Sequence, residues 1–141
     1  MKQINPYLNF LGNTEEAFNF YKSIFGGDFS SFVRFKDAPG AGPVPEKEAN
    51  GLMHVSLPAG NTTLMATDTL ESMGHTLTVG NNINLCVVAE SREEADKIFS
   101  KLAAGGKVSM PIADMFWGSY WGSVTDKFGV NWMVDYNAQQ Q

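Results

Sequence analysis

Cysteine is almost missing from this chain: of its 141 residues only Cys86 carries a thiol, so no disulfide can form within it. That scarcity fits a reducing compartment. Histidine is nearly as rare, with His54 and His75 alone, and no close His, Cys, Asp or Glu spacing of the kind that builds a metal site is present. No apolar run approaches the roughly 18 residues of a membrane span, and the first residues lack the basic and apolar segments of a secretory signal. A soluble, cytoplasmic protein without a membrane partner is therefore expected. Positive charge is also thin: 10 Lys and Arg against 15 Asp and Glu leave a net charge of −5. Arg34 with Lys36, and Lys97 with Lys101, are too sparse to neutralise a run of phosphates, so no nucleic-acid partner is expected.

What the chain does have is an imperfect copy of itself. Asn5–Tyr21 (NPYLNFLGNTEEAFNFY) returns in outline as Ile83–Phe99 (INLCVVAESREEADKIF). With Ala17 set on Ala95, Leu8 meets Cys86 and Phe10 meets Val88, the apolar positions of a period-two strand. Asn13 with Glu16, and Ser91 with Glu94, then predict capping boxes at two helix starts. Behind the caps run apolar stripes at helical spacing, Ala17, Phe20, Tyr21, Ile24 and Ala95, Ile98, Phe99, Leu102. The glycine pairs Gly26-Gly27 and Gly105-Gly106 end both helices.

Each predicted helix is followed by three predicted strands. They are Asp28–Lys36, Leu52–Pro58 and Thr62–Thr67 in the first half, and Lys107–Met110, Tyr120–Thr125 and Val130–Tyr136 in the second. The fold class is thus α+β, two βαβββ modules in a single domain: residues 1–68, a linker 69–82, and residues 83–137. Asp37–Asn50, with Pro39, Pro43 and Pro45, is expected to be irregular.

Candidate functional residues follow from chemistry and face. His54 shares a strand face with Ser56, whereas Met53, Val55 and Leu57 take the other, so His54 is the candidate for proton transfer or ligand orientation. Of the ten Phe, four Tyr and three Trp, all three Trp fall in the last 26 residues, together with Phe116, Tyr120, Phe128 and Tyr136. There Trp117, Tyr120, Trp121 and Trp132 are expected to stack on a planar ligand, with Phe10 completing an apolar lining. Cys86, set against Leu8 by the repeat, is expected to be a buried core thiol. Asp114, Asp126 and Asp135 stand among aromatics with no spacing that forces a carboxylate pair; Asp126 is expected to cap a turn toward Gly129.

The segments Pro6–Gly27 (PYLNFLGNTEEAFNFYKSIFGG), Leu64–Asp68 (LMATD) and Phe116–Trp132 (FWGSYWGSVTDKFGVNW) resemble the vicinal oxygen chelate superfamily of glyoxalases, bleomycin-resistance proteins and extradiol dioxygenases. Within it they look like the PhnB-like branch, often labelled 3-demethylubiquinone-9 3-methyltransferase-like. The resemblance implies paired modules whose mixed sheets curl around a central cavity, commonly in a homodimer. In metal-using members it also implies a divalent ion held by the first and last strand of each module. Those positions fall here at Pro6, Asn84, about Met65, and Met133, which are poor ligands for hard or borderline ions. No metal or other cofactor is therefore expected. Methyl transfer is not expected either, because the glycine pairs follow helices instead of forming a strand-to-helix nucleoside turn. The expectation is a small-molecule binding protein with a planar or partly apolar ligand in an aromatic-lined cavity. The alternatives are a divalent-metal-dependent lyase, isomerase or dioxygenase-like enzyme using His54, and a structural or regulatory dimer module.

Overall fold

A computed structural model of the chain describes residues 1–38, 40 and 42–139. Two compact units divide it, Met1–Thr78 and Val79–Gln141. The first contains β1 (Tyr7–Phe10), α1 (Thr14–Phe25), β2 (Ser31–Arg34), the single-turn helix α2 (Glu46–Ala49), β3 (Leu52–Ala59) and β4 (Thr62–Asp68). The second contains β5 (Leu85–Val88), α3 (Arg92–Ala103), β6 (Lys107–Asp114), β7 (Tyr120–Thr125) and β8 (Asn131–Tyr136). Each unit holds one open sheet, in the orders β1-β4-β3-β2 and β5-β8-β7-β6. Within each, the first strand runs parallel to the last and the remaining pairs are antiparallel. The βαβββ unit expected from the repeat is thus formed twice.

One helix lies against one face of each sheet, and that is where each unit buries its apolar side chains. Ala17, Phe18 and Tyr21 of α1 are fully buried together with Val55, Leu57 and Ala66 of β3 and β4. Phe18 packs edge-on to Phe10 at 6.4 Å and to Tyr21 at 5.5 Å between ring centres. In the second unit Ala95, Ile98, Phe99 and Leu102 of α3 are buried with Val124, Trp132 and Val134. Burial of each large side chain contributes roughly 1.5–3 kcal/mol. The expected α3 stripe is reproduced in full, whereas on α1 Phe18 is buried deeper than Phe20 and Ile24.

Both helices stop at glycine, as expected. Gly26 (φ 78°) follows α1 and Gly105 (φ 74°) follows α3, backbone angles that an L side chain rarely adopts. Their starts differ. Ser91 Oγ accepts from the Glu94 N–H at 3.0 Å, and Glu94 Oε1 accepts from the Glu90 N–H at 3.0 Å, close to the expected capping box. Asn13 makes no side-chain cap. Its role passes to Asp68 from β4, whose Oδ1 accepts from both the backbone N–H (3.0 Å) and the hydroxyl (2.6 Å) of Thr14. Asp68 Oδ2 accepts from the Leu52 N–H at 2.7 Å, so one buried carboxylate ties α1, β3 and β4 together.

Other boundaries also depart from expectation. The strand expected over Asp28–Lys36 covers only Ser31–Arg34, because the pairing with β3 shifts register at Arg34 and Phe35–Asp37 forms a 3₁₀ turn. The proline-rich segment is not wholly irregular, since α2 begins directly after Pro45; Pro39 lies outside the described residues. The strand expected to end at Met110 runs on to Asp114, with Pro111 tolerated on an edge strand beside two register shifts. Gly122 allows this approach: a Cβ there would sit 2.7 Å from Ile112 Cα.

Replacing Asp68 by Ala should lower unfolding free energy by about 3 kcal/mol, since three hydrogen bonds in a dry site are lost together. Ser91→Ala should cost about 1 kcal/mol and Asn13→Ala much less. Urea unfolding of the three variants checks the order, and equal losses for Asn13 and Ser91 would contradict the assignment of the caps.

Candidate functional site

The sheet face opposite each helix carries the chemistry, and the strand registers say which residues share it. In the first unit one row across the sheet is Asn9, Thr67, His54 and Val33, and the next is Tyr7, Met65, Ser56 and Ser31. In the second unit the corresponding rows begin Val88, Asp135, Trp121 and Cys86, Met133, Ser123. His54 and Trp121, two of the residues singled out above, therefore hold equivalent places in the two sheets, as do Ser56 and Ser123.

On the first unit this face is polar. The Tyr7 hydroxyl and His54 Nδ1 lie 3.1 Å apart, reaching diagonally past Met65. Partial burial holds the Tyr7 phenol above its ordinary pKa, so it remains a protonated donor through neutral pH. Ser56 is buried and shares a hydrogen bond with the Ser30 hydroxyl at 2.7 Å. Beside the pair, Asn9 and Thr67 open into a cleft of about 610 Å³ whose far wall includes Leu70, Met73, His75 and Leu77.

On the second unit the open face is apolar and aromatic. Trp121 meets Trp117 at 5.9 Å between ring centres, and Trp117 meets Phe116 at 5.0 Å, both edge to face. Phe116 is 98% exposed and Trp117 52% exposed, in the connection from β6 to β7. Asp135 stands directly across from Trp121. Its Oδ1 is screened from solvent and accepts no hydrogen bond from the described residues.

The remaining expected ligand residues are on the helix side. Trp132 is 2% exposed and donates from its indole nitrogen to the buried Asp126 carboxylate at 2.8 Å. Asp126 also accepts from the Phe128 and Val130 N–H groups, holding the turn as expected. Phe10 is buried against Phe18. Tyr120 donates to Asp96 of α3 and lies under the Arg92 guanidinium at 3.8 Å, while Arg92 pairs with both carboxylate oxygens of Asp114. These three rings serve packing and helix docking in place of the pocket wall expected for them.

Cys86 is a correction of a different kind. It is exposed on the open face, and Val88 is 72% exposed, although the repeat set them on the inward-facing Leu8 and Phe10. The residue that matches Phe10 in burial is Ala89, 79 positions on, whereas the helices correspond at an offset of 78 (Thr14 with Arg92), so the strand is displaced by one residue relative to its helix. A one-residue slip turns every side chain of a strand to the opposite face. The first-strand neighbours of Met65 and Met133 are Tyr7 and Cys86, where the expected first-strand positions were Pro6 and Asn84. A phenol beside a thioether on one sheet and one thiol beside a thioether on the other make a sparse donor set, and the thioethers suit soft ions. Among the described residues no group of three or more His, Cys, Asp or Glu is placed to hold a metal. Asp135 was passed over as one acid among aromatics, although strand alternation alone set it with Met133 and away from Trp132.

Two βαβββ units, each with one covered and one open sheet face, define a protein of the glyoxalase/bleomycin-resistance fold. A glyoxalase/bleomycin resistance protein/dioxygenase family enzyme from Burkholderia phytofirmans PsJN shares that fold at a TM-score of 0.60 and 16% identity, over 92% of this chain and 95% of that one. The chain belongs to the family described as 3-demethylubiquinone-9 3-methyltransferase, whose model matches residues 2–135. It is 30% identical to Protein YjdN of Escherichia coli (strain K12), covering 97% of each chain. Protein PA1353 of Pseudomonas aeruginosa superposes with a TM-score of 0.85 at 36% identity, over 96% of this chain and 97% of that one. The PhnB protein of Bacillus cereus gives 0.77 at 30% identity, over 95% and 98%.

Two outcomes follow from the open faces. With Tyr7 donating to Nδ1, neutral His54 should carry its proton on Nε2, and Tyr7→Phe should raise the Nδ1–H tautomer, which ¹⁵N shifts of the ring report. The Cys86 thiol is held above its ordinary pKa, first by poor solvation and then by the Asp135 charge. Asp135→Asn should therefore lower it, and iodoacetamide alkylation should reach half its maximal rate at a lower pH than in the parent protein.

Proposed function

We propose that the chain binds a small planar, partly apolar molecule on the aromatic open face of the second unit, without the divalent ion that metal-using proteins of this fold hold. The observation that carries the reading is the Trp121–Trp117–Phe116 group, aromatic surface kept out of a core that buries Trp132 of the neighbouring strand. Flat rings presented this way stack on flat ligands and exclude water from one side of them. Met133 and Val88 extend the apolar surface on the same face.

A metal-independent mode is supported by the donor chemistry. The open-face pairs are Tyr7 with Met65 and Cys86 with Met133, and His54 has its Nδ1 engaged by Tyr7. A role in the cytoplasm and pairing of two copies belong to the same proposal. The first is supported by a lone free thiol. The second is supported by exposed Val108 and Met110 on the edge strand β6. Among the described residues no helix is long and apolar enough to cross a membrane.

The test is tryptophan fluorescence of chelator-treated protein titrated with planar heteroaromatic compounds. Saturable quenching should occur without added metal, and Trp121→Ala should weaken it at least about tenfold, the loss expected when one stacked ring and its burial are removed. Binding that appears only after a divalent ion is restored would overturn the proposal.

A further inference from the structure

The open face of the second unit holds one polar feature that its fold does not use. Asp135 lies in β8 directly opposite Trp121 of β7, with Val88 of β5 on its other side. Its Oδ1 is shut off from solvent and receives no hydrogen bond from the described residues. A shielded carboxylate oxygen without a donor is costly, and such groups are almost always satisfied in native proteins. Trp121, Ser123 and Cys86 beside it carry donors, but none of them hydrogen-bonds Oδ1. The open-face positions of β5, β7 and β8 hold no Lys or Arg. The nearest guanidinium in sequence to this strand set, Arg92, is committed on the helix side to Asp114 and to the face of Tyr120.

We propose that Asp135 is the polar anchor of the ligand site, and that the ligand is a planar organic cation, an aromatic ring bearing an ammonium, amidinium or protonated ring N–H. This rests on the preceding reading for the place of binding and adds the charge of what binds. A positive N–H group at the Asp135 carboxylate makes a charge-assisted hydrogen bond, the stronger kind. The ring or the cation itself lies against Trp121 and Trp117, whose faces attract positive charge. An anionic ligand would meet the same carboxylate without a compensating base, and a neutral hydrocarbon would leave Oδ1 unpaired. The counterpart of Asp135 in the first unit is Thr67, and that of Trp121 is His54, so the cation-binding pair is confined to one of the two sheets.

Three probes that share one ring separate charge from stacking: 1-naphthylmethylammonium, 1-naphthalenemethanol and 1-naphthoate, titrated calorimetrically into the full chain. The cation should bind at least about tenfold tighter than the alcohol, and the naphthoate weakest. Asp135→Asn should remove the preference for the cation while leaving the alcohol's affinity within about twofold, and Trp121→Ala should weaken both. Equal affinity for all three probes in the parent protein, or a preference that survives Asp135→Asn, overturns the assignment of charge and leaves the aromatic site standing. Failure of all three to bind overturns both. The ranking in the parent protein needs no variant, so it holds even if a substitution in β8 harms folding.

Discussion

Each module owns a single long helix for a sheet of four strands, and that shortage governs the molecule. A sheet has two faces, and one helix covers one of them. The covered face takes the apolar alternation of every strand: Val55, Leu57, Leu64 and Ala66 in one unit, Val124, Trp132 and Val134 in the other. The uncovered face is left with the alternate residues, and those are where polar, aromatic and nucleophilic side chains gather. Sidedness therefore sorts scaffold from chemistry before any particular ligand is considered.

The two sheets have used the same freedom differently. Equivalent positions read Tyr7, Asn9, His54 and Thr67 on one open face and Cys86, Val88, Trp121 and Asp135 on the other. The first set is tied internally by the Tyr7–His54 contact. The second leaves an acceptor without a donor among the described residues, beside an aromatic group whose rings pack on one another. Duplication has thus preserved a frame while letting its open positions diverge, which is why the family label carries fold more securely than reaction.

Much of this frame was legible in the residues. Period-two and helical spacing, the glycine stops and the Ser91 cap located both modules, because each of those signals is local. What escaped was non-local. Asn13 has the right chemistry for a cap, but Asp68 arrives from a strand 54 residues later and takes the Thr14 amide and hydroxyl. Phe35–Asp37 leaves the sheet where pairing with β3 slips. Cys86 and Val88 looked inward because the repeat was aligned on its helices, and a displacement of one residue between strand and helix turned that strand over. Among the candidate site residues, alternation put His54 and Ser56 on one strand face, and register places His54 and Trp121 at equivalent positions of the two sheets. Trp132 and Tyr120 share the aromatic run but fall on the helix side, a distinction that depends on which parity of β7 and β8 faces α3.

The claim on which the account turns is that division of faces within the second unit. Acrylamide quenching of three single-tryptophan variants, each keeping one of Trp117, Trp121 and Trp132 with the other two replaced by Phe, measures it directly. Trp132 should be strongly protected while Trp117 and Trp121 are readily quenched. Trp132 quenched as easily as Trp121 would contradict it.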